Sequence, residues 1–366
     1  MSATSPTEDK LASEVVHALR EGFPYTEPVG IVGHHLERAR VQVEGRVSDL
    51  KFGYFRGLKR RRAVKKTLEQ IEKNTAKVVL IAGLNDFNRC LLKELKKSAF
   101  VLLTQPAAGL QPSDIKLLRD HCHNVLVMFA EDGEILGRSG IANTFIGFPY
   151  MSRLQSIKIN PEDFNLHPSQ IVVTFIPAYS ADKTLKALGF LVKLSDSLKK
   201  ERPEVLLLVP LPKGIDKHQV EQEIGLKVNE GHYGSFSVGN MKFLQEMPWE
   251  AMSLADLVIS GGGVSCFESA IIGKPQICMK VKEFRTPLVH LLDSTAQIPE
   301  VVAPGHLNEL SELVSDVLTN ENARQTILDA NASFVSKVEG LQYESLVEEF
   351  VEFLGRRSVA KRRAAR

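Results

Sequence analysis

Several features that would assign a protein class at once are missing from this 366-residue sequence. It has no run of 18 or more apolar residues, so no segment is predicted to span a membrane. Its opening residues, MSATSPTEDK, are polar and acidic and therefore do not resemble a signal peptide. This composition favours a cytoplasmic protein. With 46 Lys and Arg against 44 Asp and Glu, the net charge of +2 provides no overall field for a specific nucleic-acid partner.

Cysteine is scarce as well: the residues lie at positions 90, 122, 266 and 278, and no two of them form a CxxC pair. The triplet His121-Cys122-His123 contains metal-ligand residue types, but neighbouring residues in a helix or strand point in different directions. No second group of ligand residues lies nearby in the sequence. We therefore predict neither a metal nor another cofactor, and we interpret the triplet as a helix-to-strand junction.

The apolar residues occur in short runs separated by longer helical patterns. The runs are apolar throughout rather than alternating, which indicates strands buried on both faces of a parallel sheet. The intervening stretches have apolar residues three and four positions apart, as in helices that cover such a sheet. This order predicts an α/β protein with two doubly wound parallel sheets. The predicted strands are 29–32, 78–82, 100–103 and 125–129 in a first series, and 171–176, 205–209, 257–260 and 276–279 in a second.

Domain boundaries follow from these two series. We predict an N-terminal domain over 1–155, a polar linker over 156–170, a C-terminal domain over 171–320, and helices with a basic tail over 321–366. The first strand of the N-terminal domain is missing from the pattern, because the opening residues are polar and 11–19 already has a helical period. Either this strand is absent or the domain begins before the given sequence.

The strongest local signal is the segment LVISGGGVSCFESAIIGKP at 257–275. A predicted strand is followed by three glycines, Gly261, Gly262 and Gly263. Glycines allow a ligand to approach the backbone, and the helix predicted to begin near Ser265 offers unpaired N–H groups and partial positive charge. The segment is therefore either a diphosphate site or only a tight strand–helix turn. Glu268 is either an acceptor for a sugar hydroxyl or a favourable charge near the helix start.

Over residues 52 to about 314, the sequence resembles the lipid-A-disaccharide synthase family, because several further motifs occur in the same order. The motifs that carry the resemblance are Gly53-Tyr54-Phe55, Asn85-Asp86-Phe87-Asn88, Phe129-Ala130-Glu131, the segment 140–149, Ala255-Asp256 with the residues through Glu268, and Ile298-Pro299-Glu300. The resemblance implies a GT-B-like glycosyltransferase architecture, in which two doubly wound α/β domains face each other across a cleft.

The resemblance also implies a reaction. Members of the family transfer an acylated glucosamine from a UDP carrier to an acylated glucosamine 1-phosphate, with inversion and release of UDP, and they need no metal. The second domain is then expected to bind the UDP-sugar donor. The residues selected for the donor are Ser180, Lys183, Asn240, Gly261, Gly262, Gly263, Ser265 and Glu268. Trp249, the sole tryptophan, either stacks on uracil or packs and caps the helix that follows it.

The departures from the family fall where the chemistry would occur. The position of the family's proposed base, three residues before Asp86, is Gly83, and Ser180 replaces the arginine that meets the diphosphate. The family's opening motif corresponds to residues 3–9, which lack its two glycines. An inverting transfer needs a base for the incoming hydroxyl and positive charge for the departing diphosphate. The catalytic residues are thus left unassigned, with Asp86 as the nearest carboxylate, and we hypothesise that Lys183 replaces the arginine.

A basic segment, LKRRRAVKK at 58–66, carries six cations in nine residues. It is either a solvated helix face or a surface that docks on the inner face of the inner membrane, where each cation near an anionic bilayer contributes about 1 kcal/mol. The candidate residues on this acceptor side are Arg60, Arg61, Arg62, Lys65 and Lys66. We favour membrane docking over incidental binding of nucleic acid.

Two functions stay open at this point. The first is an active hexosyltransferase of lipid A biosynthesis with altered catalytic groups, and the retained glycine loop favours it. The second is a degenerate paralogue that binds a nucleotide sugar or a lipid headgroup without turnover, which Gly83 and Ser180 favour. The partners expected are a UDP-sugar, an acylated sugar phosphate and an anionic membrane surface, and a homo-oligomer is left undecided.

Overall fold

The structure, a computed structural model, describes residues 1–46, 56–95, 98–177, 181–231, 234–261, 264–280, 300–302, 307–336, 340 and 342–364. The chain divides into two units, one formed by Met1–Tyr150 with Val338–Arg366 and the other by Met151–Lys337. Each unit contains a largely parallel sheet covered by helices. The prediction of two doubly wound α/β domains is therefore confirmed.

The first unit alternates strands and helices. Its elements are β1 (Ser2–Ala3), α1 (Pro6–Gly22), β2 (Val29–Val32), α2 (His34–Arg38), β3 (Gln42–Arg46), α3 (Arg56–Lys73), β4 (Val79–Ala82), α4 (Asp86–Glu94), β5 (Ala99–Leu102), α5 (Pro112–His121), β6 (Cys122–Val127), α6 (Ala130–Arg138), β7 (Asn143–Phe145) and the C-terminal α14 (Tyr343–Ala364). Its described strands form a seven-stranded parallel sheet in the order β3-β2-β1-β4-β5-β6-β7. The strand order therefore reverses between β1 and β4.

The first unit has the strand that the sequence pattern did not reveal. Ser2 and Ala3 form β1 at the centre of the sheet, where Ser2 pairs with Ile31 of β2 and Ile81 of β4. The expected absence of a first strand is corrected accordingly. The strand is short and built of small residues, so it lacks an apolar run, yet Ser2 and Ala3 are buried. The hydroxyl of Ser2 is satisfied because it donates to Asn88 Oδ1 at 2.7 Å.

Helix α1 follows β1 directly and begins earlier than its apolar pattern indicated. Ser5 is the N-cap, and its hydroxyl accepts a hydrogen bond from the backbone N–H of Glu8 at 3.2 Å. Pro6 suits the first helical position because its missing N–H would be unpaired there in any case. The consequence is that the acidic residues Glu8 and Asp9 lie in the first turn, at the carboxyl end of β1.

The second unit repeats the doubly wound arrangement. Its elements are α7 (Met151–Gln155), β8 (Ile171–Ile176), α8 (Ala181–Glu201), β9 (Val205–Leu211), α9 (Lys217–Ile224), β10 (Asn229–Glu230), β11 (Ser235–Val238), β12 (Met241–Gln245), α10 (Pro248–Leu254), β13 (Leu257–Ser260), α11 (Val264–Ile272), β14 (Gln276–Lys280), β15 (Glu300–Val302), α12 (Leu307–Thr319) and α13 (Glu321–Val335). The order of its described strands is β10-β11-β12-β9-β8-β13-β14-β15. The pairs β10–β11 and β11–β12 are antiparallel and the other pairs are parallel, so β11 runs opposite to the other strands. The order reverses between β8 and β13.

The division of the chain differs from the sequence-based boundaries at two places. Residues 156–170, expected as a linker, belong to the second unit, where Leu166 is buried against Val172 and Leu208. The C-terminal residues from Val338 belong to the first unit, where Phe350 of α14 stacks on Phe100 at a ring separation of 4.3 Å. Polar composition concealed the first of these contacts, and the second joins residues far apart in the chain.

Candidate active site

The topology of each sheet indicates where a ligand would bind. In open doubly wound sheets, ligands bind beyond the carboxyl ends of the strands where the strand order reverses. In the first unit this place, here called the first switch point, lies at the ends of β1 and β4, which Thr4 and Gly83 follow. In the second unit the second switch point lies at the ends of β8 and β13, which Pro177 and Gly261 follow.

The second switch point contains the glycine loop that the sequence singled out. Ser260 ends β13 and pairs with Ile176 at the end of β8, and Gly261 follows it in a buried position. Helix α11 then begins at Val264, with Ser265 buried in its first turn. Gly262 and Gly263 lie outside the described residues. The start of α11 therefore follows the strand end closely, as the prediction of a strand–loop–helix site requires.

Helix α8 brings a second helix start to the same edge. It begins at Ala181, soon after β8 ends at Ile176, and Lys183 is exposed in its first turn. Ser180 lies outside the described residues. Helix starts carry partial positive charge and unpaired N–H groups, so α8 and α11 together favour an anion at this switch point.

Glu268 contacts the sole tryptophan. The carboxylate is fully buried in α11, and its Oε1 accepts a hydrogen bond from Trp249 Nε1 at 3.0 Å. The guanidinium of Arg153 lies over the Trp249 ring, 5.0 Å from its centroid. These contacts tie α11 to α10 and α7, so they support a positioning role for Glu268 more directly than contact with a donor. Trp249 lies in the first turn of α10, and Pro248 precedes it at the first helical position.

The structure separates Asn240 from the other donor candidates. Its side-chain amide donates to the backbone carbonyl of Val205, the first residue of β9. Asn240 also directly precedes β12, which runs parallel to β9. It therefore lies at the amino edge of the sheet, whereas Gly261 lies at the carboxyl edge. A residue before a strand and a residue after one belong to opposite edges of a parallel sheet, so the structure does not support contact between Asn240 and a nucleotide at Gly261.

The first switch point is held together by the motif Asn85-Asp86-Phe87-Asn88. Asn85 is the N-cap of α4, and its Oδ1 accepts hydrogen bonds from the N–H groups of Phe87 and Asn88 at 3.0 Å each. Asn88 is fully buried and donates from Nδ2 to the carbonyls of Ala82 at 2.8 Å and Gly83 at 3.0 Å. The motif thus fixes the carboxyl end of β4 against β1.

Asp86, the carboxylate named from the sequence, points away from this network. Its side chain is 69% exposed and forms a 2.9 Å ion pair with Arg60 and a 3.6 Å ion pair with Arg89. The geometry therefore offers Asp86 as a surface ion-pair partner, and Arg60 is engaged in that pair.

Glu8 is the carboxylate that the structure brings to the first switch point and that the sequence pattern did not single out. It is 8% exposed, and its Oε2 accepts hydrogen bonds from Thr4 N at 2.8 Å and Thr4 Oγ1 at 2.9 Å. Burial raises the pKa of Glu8, while the hydrogen bonds from Thr4 and Asn85 act in the opposite direction. The available signal was a glutamate in the first turn of the helix that follows β1, a strand too short to be recognised.

The remaining cations of the basic segment lie along α3. Arg61, Arg62, Lys65 and Lys66 are exposed, and Lys65 is 3.9 Å from Glu69 one turn later. Within the described part of the chain, no helix is both long and apolar enough to cross a bilayer. Nor do the described residues include three or more His, Cys, Asp or Glu side chains grouped so that they could hold a metal ion.

A cavity of about 1010 Å³ lies elsewhere in the first unit. It is lined by the amino ends of β1, β2 and β4, at Met1, Val29 and Val79, and by the later turns of α1 and α3. These strand ends form the edge opposite the first switch point. Since the chemistry of doubly wound sheets takes place at the carboxyl edge, we give this cavity no part in the candidate active site.

Comparisons with known proteins agree with this geometry. A family model described as lipid-A-disaccharide synthetase matches residues 1–363. Lipid-A-disaccharide synthase 1 of Legionella pneumophila (strain Lens) is 22% identical over 372 residues, which cover 94% of this chain and 94% of that protein.

Two solved structures resemble the whole chain. The structure of S. aureus MnaA with UDP has a TM-score of 0.65 at 12% identity and covers 95% of this chain and 93% of that one. Spinosyn rhamnosyltransferase SpnG complexed with thymidine diphosphate has a TM-score of 0.61 at 14% identity, with coverage of 95% and 97%. These likenesses show the predicted GT-B-like fold.

Proposed function

The chain belongs to the lipid-A-disaccharide synthetase family, and we infer that this hexosyltransferase of lipid A biosynthesis transfers an acylated glucosamine from a UDP donor to an acylated glucosamine 1-phosphate. The reaction inverts the anomeric carbon and releases UDP. The second unit binds the donor, and the first unit holds the acceptor and the base that activates it.

The observation that carries the donor assignment is the convergence of two helix starts and a glycine loop at the second switch point. Gly261 follows β13, α11 begins at Val264, and α8 begins at Ala181 after the neighbouring strand β8. The diphosphate of a UDP-sugar is an anion that suits unpaired backbone N–H groups at such ends. The same groups stabilise the charge that develops on UDP as it leaves.

Lys183 supplies a full positive charge at this place. It lies in the first turn of α8 and is exposed, so its ammonium group is available to a phosphate oxygen. A lysine is a point charge rather than a planar fork, so it neutralises a phosphate without the two parallel bonds that an arginine forms. This supports Lys183 as the replacement for the arginine that the family resemblance implied at Ser180.

The acceptor reaches the enzyme from a membrane surface in this proposal. Arg61, Arg62, Lys65 and Lys66 are exposed on α3, in the same unit as the first switch point. Exposed cations near an anionic bilayer each contribute about 1 kcal/mol, and together they would hold the protein where an acylated sugar phosphate resides. Arg60 contributes less to this surface because it is paired with Asp86.

A two-stage experiment tests the function. Thermal melting is first measured with UDP and with UDP-sugars, and UDP release is then followed with an acylated UDP-glucosamine and an acylated glucosamine 1-phosphate. We expect stabilisation by UDP and release of UDP only when the acceptor is present. Stabilisation without release would favour the binding paralogue, and the lack of both responses would contradict the proposal.

Lys183→Ala tests the donor side. Loss of a hydrogen bond to a charged group costs about 1.5–3 kcal/mol, so we expect the dissociation constant of UDP to rise at least about 10-fold. Lys186→Ala is the matched control: Lys186 lies in the next turn of α8 and forms an exposed 3.0 Å pair with Asp182. Equal UDP affinity in wild type and Lys183→Ala would remove Lys183 from the donor site.

A further inference from the structure

The transfer needs a proton acceptor in the first unit, and we propose that Glu8 is the general base of the reaction. This inference rests on the proposed function. Among the described residues, three carboxylates closely follow β1 or β4 at the first switch point, namely Glu8, Asp9 and Asp86. The structure gives the three side chains different environments, and only one of these environments suits a base.

Asp9 and Asp86 are committed to other tasks. Asp9 accepts hydrogen bonds from the backbone N–H groups of Gly33 at 2.6 Å and His35 at 2.7 Å, so it caps the start of α2. Asp86 is exposed and paired with Arg60 and Arg89. The oxygens of Asp9 are thus engaged by backbone N–H groups, and those of Asp86 by guanidinium groups.

Glu8 has one oxygen fixed and the other available. Oε2 accepts both hydrogen bonds from Thr4, at 2.8 and 2.9 Å. Oε1 receives a long contact of 3.5 Å from Asn85 Nδ2, and the backbone N–H of Ser5 also donates to the carboxylate. A carboxylate oxygen can accept two hydrogen bonds, so Oε1 keeps the capacity to accept the proton of a substrate hydroxyl.

Oε1 occupies the volume where a side chain at position 83 would lie. A Cβ built on Gly83 would be 2.1 Å from Glu8 Oε1, 2.7 Å from Glu8 Cδ and 2.9 Å from Thr104 Oγ1. Gly83 directly follows β4, the strand next to β1, so a residue after β1 and a residue after β4 can place a carboxylate in the same space. The carboxylate of Glu8 thus lies where the side chain of a base at position 83 would lie.

The proposed step is balanced. Glu8 Oε1 takes the proton of the acceptor hydroxyl, and the hydroxyl oxygen uses the freed electron pair to bond the anomeric carbon. The bond between that carbon and the diphosphate oxygen breaks, and its electron pair leaves with UDP. Burial raises the pKa of Glu8, which makes its carboxylate a stronger base.

Glu8→Gln tests the assignment. The amide oxygen of Gln can still accept both bonds from Thr4, so the fold is retained while the base is lost. We expect kcat to fall about 100-fold or more and the stabilisation by UDP to be unchanged. Glu21→Gln is the control, because it makes the same substitution at an exposed residue at the far end of α1. The acid limb of the wild-type pH profile should be absent from the residual activity of Glu8→Gln.

Relocation of the carboxylate gives a second, independent test. Glu8→Gly empties the space, and Gly83→Asp combined with it returns a carboxylate from the neighbouring strand. We expect the double variant to exceed Glu8→Gly in kcat by about 10-fold or more, while Gly83→Asp alone is inactive because both side chains compete for one volume.

The outcomes separate the two proposals. An active wild type with Glu8→Gln within about threefold of its kcat would overturn the assignment of Glu8 and leave the proposed function standing. A wild type that binds UDP but releases none with the acceptor would overturn both. If Glu8→Gln fails to fold, the relocated variant decides, since no gain over Glu8→Gly would also overturn the assignment.

Discussion

The close approach of Glu8 to Gly83 makes a quantitative prediction about stability that is separate from catalysis. We consider Gly83→Ala, alone and combined with Glu8→Ala. Gly83 has a φ of +74°, which costs a residue with a Cβ about 1–2 kcal/mol. In addition, the new Cβ would lie 2.1 Å from Glu8 Oε1, so the carboxylate must move and give up bonds to Thr4.

The two contributions can be separated by magnitude. Each hydrogen bond to the carboxylate is worth about 1.5–3 kcal/mol, so loss of both bonds from Thr4 adds about 3–6 kcal/mol to the cost of Gly83→Ala. With Glu8 already replaced by Ala, Gly83→Ala should cost only the backbone contribution of about 1–2 kcal/mol. The coupling energy of the double-mutant cycle is therefore expected to be about 3–6 kcal/mol.

Gly140→Ala is the matched control for the backbone contribution. Gly140 lies in the same unit with a φ of +70°, and a Cβ there would meet nothing within 4 Å. It should cost about 1–2 kcal/mol and show no coupling to Glu8→Ala.

Unfolding in urea should be followed by far-UV circular dichroism, because the sole tryptophan, Trp249, lies in the second unit and would not report on the first. Equal costs for Gly83→Ala and Gly140→Ala, or additivity within about 0.5 kcal/mol in the cycle, would refute the described contact.

The remaining predictions concern pH and the membrane. Burial raises the pKa of Asp132 to about 6, from 3.8 for the free group, so the folded first unit binds this proton more tightly and loses stability as the pH rises from about 4 to about 6. Asp132→Asn keeps an acceptor for the 2.7 Å bond from Ala107 N, so it should remove that pH dependence and raise the urea midpoint at pH 7; an unchanged pH profile would contradict the raised pKa. Replacement of Arg61, Arg62, Lys65 and Lys66 by Ala should weaken binding to anionic vesicles by about 4 kcal/mol, or about 10³-fold, and leave binding to neutral vesicles unchanged. Removal of the same charge from α8 at Lys186, Lys193, Lys199 and Lys200 is the control, and an equal loss there would show that overall charge, rather than α3, drives the binding.

The fold was largely predictable because a strand that is buried on both faces has a continuous run of apolar residues in the sequence. The runs around β4 and β9 are apolar throughout, and all their residues are buried. Strand β1 left no such mark, since Ser2 and Ala3 are small and the polar hydroxyl is satisfied by Asn88. Residues 156–170 were predicted as a linker because they are polar, yet they belong to the second unit. A polar segment can still bury one side chain, here that of Leu166.

The position of the candidate donor residues in the fold was predictable for a related reason. A loop directly after a buried strand must lie at the carboxyl edge, so Gly261 and Lys183 could be placed from chain order alone. Asn240 lies at the amino edge because β11 runs antiparallel to β12, so the turn that follows β11 lies at the opposite edge from a turn that follows a parallel strand. Sequence distance gives no information about which edge of a sheet a turn occupies.

The proposed base, Glu8, illustrates why matching this sequence to the family residue by residue fails at the first switch point. β1 and β4 are neighbours in the sheet although the segment between them contains two strands and three helices. A carboxylate after either strand can enter the same space, but the 2.1 Å separation between Glu8 Oε1 and a Cβ at position 83 excludes side chains from both at once. If Glu8 is the base, a glycine at position 83 is a steric requirement of that arrangement. Glu8 and Gly83 would then form one coupled change in which the carboxylate moves from position 83 to position 8 and the proton acceptor is kept. A glycine at position 83 is by itself no sign that activity was lost.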